Sequence, residues 1–236
     1  MKNLVLMPTF NEIETLEDSV MNLFEFNPDL NLLIIDDNSP DGTGVLADTL
    51  ALGDGRIFVL HRLTKQGLGR AYIDGFYWGI ARGYESLIQM DADGSHRPQD
   101  LPRLLEASKS ADLVIGSRWT SGGQVRNWPL YRELISRSGN LYAKVMLGSK
   151  INDLTAGFRV YSHDLLRKMD LGKIQAQGYG FQVEMTNQTQ KLGARIVEVP
   201  ITFIERENGS SKMTLDIVIE AYVLCTKWGL LRLFRR

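Results

Sequence analysis

SLIQMDADGSHRP, residues 86–98, sends an apolar run straight into two carboxylates two positions apart, Asp91 and Asp93. Leu87–Met90 reads as a buried strand, and side chains at i and i+2 of an extended chain project to the same side. The two anions therefore share one small volume. At about 4 Å and an effective dielectric near 20 their repulsion is roughly 4 kcal/mol, so either one is protonated or a cation sits between them.

Outward from this stretch the same layout recurs. Leu4–Met7 is followed by helical Glu12–Phe26, Leu32–Ile35 by Gly44–Leu52, Ile57–Leu60 by Ala71–Arg82, and Leu87–Met90 by Gln99–Lys109, before the run Leu113–Ile115. Alternating strands and helices predict an α/β fold with a mostly parallel central sheet and helices on both faces. Ligands of such sheets bind beyond the carboxyl ends of the strands. Those ends are MPTFNE (7–12), IDDNSPDGT (35–43), HRLTKQGLG (61–69), MDADGSH (90–96) and GSRW (116–119). They concentrate Asp, Gly, Lys and Arg, so the chemistry is expected along one edge, with up to four carboxylates, Asp36, Asp37, Asp91 and Asp93, converging there.

Further on, Pro129 suits a first helical turn and Leu130–Leu147 reads as a helix ending at Gly148. Leu134, Leu141, Val145 and Met146 form its expected core stripe, with Arg132 and Ser136 as i,i+4 neighbours on another face. A helix over Phe181–Leu192, a strand over Arg195–Ile204, a polar loop over Glu205–Lys212 and an apolar C-terminal helix complete the pattern. The expected division is a catalytic domain over residues 1–212 and an apolar, basic helix over 213–236.

Composition narrows the function. Lys plus Arg number 27 against 28 Asp plus Glu, a net charge of −1 that gives no general pull toward nucleic acid. Cys225 is the only cysteine, and the three His lack metal-ligand spacing, which argues against zinc. Hard carboxylates with room for phosphate suit Mg²⁺ or Mn²⁺. Lys65-Gln-Gly67-Leu-Gly69 can cradle phosphate but is neither a dinucleotide fingerprint nor a P-loop. Arg118, Arg132, Arg159, Arg206 and Lys212 fall at element ends or in polar loops. Arg132 with Ser136 makes a phosphate fork, and residues 206–212 read as a cationic flap. The start has no signal-peptide layout, and Met213–Phe234 is interrupted by Asp216, Glu220, Lys227 and Arg232, too often for the roughly 20 apolar residues that span a bilayer.

Taken in order, MPTFNE, IDDNSPDGT, KQGLGRA, MDADGSH, GSRW, RNWP (126–129), DLTAGFRVY (153–161), QGYGFQVEM (177–185) and PITFIERENGSSK (200–212) resemble the polyprenol-phosphate mannose synthases of glycosyltransferase family 2. The resemblance implies a GT-A fold, GDP-mannose as donor, a divalent cation, Mg²⁺ or Mn²⁺, and a polyprenyl monophosphate as acceptor. It puts the nucleoside against Pro8, Phe10, Glu12 and Asp37, with Asp36, Lys65, Gly67 and Ala92 also along the donor. It assigns the metal and diphosphate to Asp91 and Asp93, the donor phosphates to Arg206 and Lys212, and the acceptor phosphate to Arg118, Arg132 and Ser136. Phe10 stands where Tyr is common, and Ser95 where some members carry a metal-binding Gln. A nucleotidyltransferase usually opens with a Gly-rich loop after its first strand, where this chain has Pro8-Thr-Phe-Asn-Glu12; another family 2 transferase, using UDP-glucose for instance, differs only in pocket details.

Such an enzyme is expected in the cytoplasm, on the cytoplasmic face of the membrane. Lys227, Arg232, Arg235 and Arg236 flank Trp228, Leu230, Leu231 and Phe234, an interfacial composition that suits peripheral attachment. The family also includes chains that work with a separate integral-membrane partner.

Overall fold

The computed structural model describes residues 2–176, 178–205 and 215–233. Arg206, Lys212, Phe234, Arg235 and Arg236 lie outside them. In chain order the elements are β1 (Asn3–Thr9), α1 (Leu16–Phe26), β2 (Asn31–Asp36), α2 (Thr43–Gly53), β3 (Ile57–His61), α3 (Leu68–Ala81), β4 (Ser86–Gln89), α4 (Leu101–Ser108), β5 (Leu113–Ser117), β6 (Gln124–Arg126), α5 (Leu130–Leu147), β7 (Arg159–Ser162), α6 (His163–Lys168), α7 (Gly178–Lys191), β8 (Ile196–Pro200), β9 (Thr202–Ile204) and α8 (Leu215–Leu233).

Seven strands form one sheet in the order β3-β2-β1-β4-β7-β5-β8. The strands are near-continuous apolar runs because both faces are covered. Leu4, Leu6, Leu33, Ile35 and Leu87 face the layer that contains α3 and α7, while Val5, Met7, Leu32, Ile34 and Ile88 face the layer of α1 and α4. β1 to β5 run parallel, so their carboxyl ends open on one edge, as expected. The exception is β7, which lies antiparallel between β4 and β5.

Arg159 opens β7, an element end as expected, but it is not at the surface. Its side chain is fully buried, donating to the carbonyls of Leu154, Ala156 and Gln182 and to the Thr186 hydroxyl. It closes backbone acceptors in the core and is not available to a substrate. The expected single strand over 195–204 is also two: β8 stays on the main sheet beside β5, and after Ile201 the chain turns into β9, which pairs with β6 in a small second sheet. Pro200 tolerates this exit because an edge strand has no inner neighbour needing its missing N–H.

The α5 stripe is a further correction. Leu134, Leu141 and Val145 are 67%, 63% and 65% exposed, and only Met146 of the expected four packs on the core. The helix instead buries Asn140, Ala143 and Leu147. Its companion is α8, held by Tyr142 against Tyr222 at 4.7 Å and by the 2.5 Å contact of the Tyr142 and Thr226 hydroxyls. Among the described residues no helix is long and apolar enough to cross a membrane.

Candidate active site

The edge has three parts, left to right along the sheet. At the ends of β1, β2 and β3, Lys65 Nζ lies 3.7 Å from the Phe10 ring centroid. The Glu12 backbone N–H donates to the Thr43 hydroxyl at 3.0 Å, tying MPTFNE to the start of α2. Pro8 is half-buried in the β1 end. Gly67 precedes α3 with φ at 94°, a conformation that favours glycine. Asp36 and Asp37, successive residues, serve different partners. Asp36 is buried and accepts from the Ser39 hydroxyl at 2.6 Å and from Thr9, which is local turn chemistry. Asp37 pairs with Arg62, whose Nε also donates to Asp74 at 2.8 Å. Burial pushes the Asp37 carboxyl above the ordinary carboxylate range, against the opposing pull of Arg62 and Lys65. Asp36 is thus engaged by the Ser39 turn and Asp37 by Arg62, on the same edge of the sheet as Asp91 and Asp93. Arg62 carried no motif and was not singled out in the sequence.

At the end of β4 lies the DAD stretch. Asp91 is 32% exposed, Ala92 is buried, and the Ala92 carbonyl accepts from the Ser19 hydroxyl at 2.8 Å. The Ser95 N–H donates to Asp93 Oδ1 at 3.1 Å, and Gly94, with φ at 74°, makes that turn. The Tyr72 hydroxyl donates to Asp91 Oδ1 at 2.9 Å. Burial first, then the charges of Asp91 and Asp93, push that hydroxyl well above its usual range. β4 ends at Gln89, so the pair lies in the turn beyond the strand rather than on a strand face, and the two carboxylates accept from different donors, the Tyr72 hydroxyl and the Ser95 N–H.

Does this pair suit a divalent cation? Among the described residues no group of three or more His, Cys, Asp or Glu forms a metal cage. Two hard carboxylates at a strand end do match an ion that takes one or two protein ligands and completes its shell with substrate phosphates and water. Ser95 is 2% exposed and its carbonyl accepts from Ile204 N–H, so it belongs to the frame.

The third part follows β5. Arg118 is 5% exposed and bound to fully buried Asp153 through Nε and Nη2, each at 2.8 Å; Nη2 also donates to the Thr155 hydroxyl at 2.8 Å. Burial would raise the Asp153 carboxyl, but Arg118 and, further off, Arg159 outweigh it and hold it below the ordinary value. The Arg118 guanidinium sits 5.5, 5.6 and 5.5 Å from the rings of Trp119, Trp128 and Phe203. Arg132, at the start of α5, lies 4.4 Å from Trp128 and pairs with Glu205. Ser136 is half-buried one turn on, and its carbonyl accepts from the Asn140 amide at 2.9 Å. The indole N–H groups of Trp119 and Trp128 are buried without a hydrogen-bond partner among the described residues.

Phe203 joins the second and third parts. Its ring is 5.6 Å from His96 and 5.5 Å from both Trp128 and the Arg118 guanidinium, while the His96 Nδ1 accepts from the Asp91 N–H at 3.0 Å. Asp91 and Arg118 are therefore linked through two rings, His96 and Phe203, and Arg132 through a third, Trp128. Asp153, Glu205 and Phe203 were missed as individual residues; DLTAGF and PITFIE were visible only as motifs, since a charge partner 35 positions away leaves no local pattern.

The family model for glycosyl transferase family 2 matches residues 4–170. An undecaprenyl-phosphate mannosyltransferase of Micrococcus luteus is 56% identical over 98% of this chain and 95% of its own length. A polyprenol monophosphomannose synthase of Mycolicibacterium smegmatis is 48% identical over 97% of this chain and 87% of its own. Among solved structures, glucosyl-3-phosphoglycerate synthase of Mycobacterium tuberculosis, with Mn²⁺ and UDP, superposes with a TM-score of 0.67 at 19% identity, covering 96% of this chain and 79% of that one. A Pyrobaculum calidifontis mannosyltransferase with GDP-Man and Mn²⁺ gives 0.59 at 14% identity, over 99% of this chain and 74% of the other. The family model and the two near-full-length relatives agree: the chain belongs to glycosyltransferase family 2.

Proposed function

We propose that the protein transfers mannose from GDP-mannose to a polyprenyl monophosphate, giving a mannosyl phosphopolyprenol with inversion at the anomeric carbon. The observation that carries this is the run of contacts from Asp91 through His96 and Phe203 to Arg118, with Arg132 beside Trp128, which also touches Phe203. One side offers carboxylates to a cation and a diphosphate; the other offers guanidinium groups and two orphan indole donors to an anion. The chemistry needs no catalytic base, because a phosphate monoester, with a second pKa of about 6, is already a nucleophilic anion near neutral pH. What the protein supplies is position and charge. Pro8, Phe10, Glu12, Asp37 and Lys65 hold the nucleoside. Arg118, stiffened by Asp153, and Arg132 with Ser136 hold the acceptor phosphate, which replaces Glu205 as the partner of Arg132. A Mg²⁺ or Mn²⁺ ion, held by Asp91 and Asp93, would supply Lewis-acid stabilisation of the departing diphosphate. Arg206 and Lys212 complete the donor side in this reading.

The acceptor's tail needs a surface, and we include peripheral attachment to the cytoplasmic face of a membrane in the proposal. Residues 1–212 form the catalytic domain in this reading and 213–236 the attaching segment, joined by the exposed side of α5.

The test is an extraction assay. Purified protein is incubated with labelled GDP-mannose or UDP-glucose, with and without polyprenyl phosphate and a divalent ion. An acid-labile, organic-extractable mannolipid that needs all three components is expected, and Asp93→Asn should lower its rate by orders of magnitude at an unchanged melting temperature. Product from UDP-glucose alone, or near-normal turnover in Asp93→Asn, overturns the donor or the cation reading respectively.

A further inference from the structure

Asp91, two residues past the end of β4, is held from two directions. Its N–H donates to His96 Nδ1 at 3.0 Å, and its Oδ1 accepts from the Tyr72 hydroxyl at 2.9 Å. Tyr72 comes from α3 and is fully buried. Its ring lies parallel to Phe181 of α7, 6.2 Å away and 6° from coplanar, with Phe76 at 6.5 Å on its own helix. A phenylalanine would fill that wedge without burying a hydroxyl, which costs free energy unless it is hydrogen-bonded. The hydroxyl is therefore explained by Asp91 rather than by packing. A carboxylate turns readily about its last torsion, where the energy wells are broad. A donor fixed on one oxygen selects one orientation.

We propose that Tyr72 is a positioning residue for the donor site: its hydroxyl fixes the Asp91 carboxylate so that the cation and the donor diphosphate meet it in one orientation. The proposal rests on the reading of Asp91 and Asp93 as cation ligands. α3 packs close enough to reach Asp91 because Gly75 and Gly79 lie flat on the sheet; an added Cβ there would stand 2.6 Å from Ile35 and 2.5 Å from Leu87. The stack on Phe181 then aims the hydroxyl, so Phe181 acts on the site through Tyr72. Groups that orient a metal's ligands from the next layer typically contribute about 10–100-fold to metal affinity.

Mn²⁺ binding in the presence of GDP, followed by the loss of the free-ion electron paramagnetic resonance signal, tests this without turnover. Wild type, Tyr72→Phe, Phe181→Leu and Asp93→Asn are compared, with melting curves of each in the absence of ion. Tyr72→Phe should bind Mn²⁺ about 10–100-fold more weakly while melting close to wild type, and Phe181→Leu should show a smaller loss in the same direction. In turnover, Tyr72→Phe should lower kcat and leave the KM for polyprenyl phosphate unchanged. Ion affinity within about twofold of wild type in Tyr72→Phe, with Asp93→Asn still impaired, overturns the role of Tyr72 and leaves the cation reading intact. Equal Mn²⁺ binding by wild type and Asp93→Asn overturns both.

Discussion

Asp153 has no exposed surface, yet it is the anchor of the arginine side of the cleft. Removing one partner of a buried ion pair leaves an uncompensated charge, at a typical cost of about 3–5 kcal/mol. Arg118→Met is therefore expected to destabilise the fold by about that amount as well as to stop transfer, and urea denaturation measures it. The pH dependence has a definite sign. Asp153 has a folded pKa below its ordinary value, so its stabilisation is complete above the unfolded value, about 3.9, and is lost as pH falls through the folded one. Urea midpoints of wild type should fall on acidification below about pH 4, and Asp153→Asn, weaker at neutral pH, should show a flatter acid limb. Asp37 works in the opposite sense: its raised pKa gives stability at low pH that is lost as pH rises through the folded value. At this scale the sequence was readable where chemistry is local. Asp91 and Asp93 were legible as an acidic pair at the end of β4, although the strand stops at Gln89 and the pair sits in the turn beyond it, with Asp91 on the Tyr72 hydroxyl and Asp93 on the Ser95 N–H. Arg118 was visible as a cation at a strand end, but its commitment to Asp153 depends on a loop that folds back beneath it.

Among the elements, α3 does the most to set the site. Its glycines let the helix axis approach β1, β2 and β4, and β4 delivers Asp91. At Gly79 an added Cβ would meet Leu87 at 2.5 Å and Leu4 at 3.1 Å. Overpacking of this kind costs about 1–3 kcal/mol, so Gly79→Val should lower stability by that much and weaken GDP binding as β4 shifts. Gly53, at the end of α2, has nothing within 4 Å of an added Cβ. Gly53→Ala should be neutral or stabilising by up to about 1 kcal/mol, which makes it the control in the same denaturation series. The alternation of strands and helices through residue 115 was legible because apolar runs and amphipathic helices have different periods. β7 was not, since a strand of only four residues is too short for a period to show. The face of α5 was misread for a physical reason: a helical period says that apolar residues share a side, not whether that side meets the core or the exterior.

The whole molecule gives the exposed side of α5 its meaning. At about 100° per residue, Leu130, Leu134, Leu141 and Val145 share one side, nearly opposite buried Asn140, Ala143 and Leu147, while Arg132 and Ser136 lie toward the inner side. Tyr131 and Ile135, 67% and 47% exposed, extend the apolar strip toward the arginine. α8 adds exposed Tyr222, Val223, Leu230 and Leu231 beside α5, with exposed Lys227 and Arg232 near its end. The helix that bears Arg132 and Ser136, the proposed acceptor-phosphate residues, thus carries outward apolar side chains along its length, which suits a headgroup in the cleft and a tail running back into a bilayer. Apolar burial stabilises such contact by about 25 cal/mol per Å², and basic residues near anionic lipid add about 1 kcal/mol each, which together support reversible attachment. The expected outcome is co-flotation with phosphatidylglycerol vesicles, weaker with phosphatidylcholine and reduced by salt. A Leu134→Gln, Leu141→Gln, Val145→Gln triple variant should lose flotation and turnover of a long-chain acceptor in vesicles. It should keep Mn²⁺–GDP binding and turnover of a short, water-soluble polyprenyl phosphate, because none of the three residues faces the cleft. Unchanged flotation in that variant would move the attachment surface elsewhere, and truncation at residue 226 would then show whether the basic end of α8 is sufficient on its own.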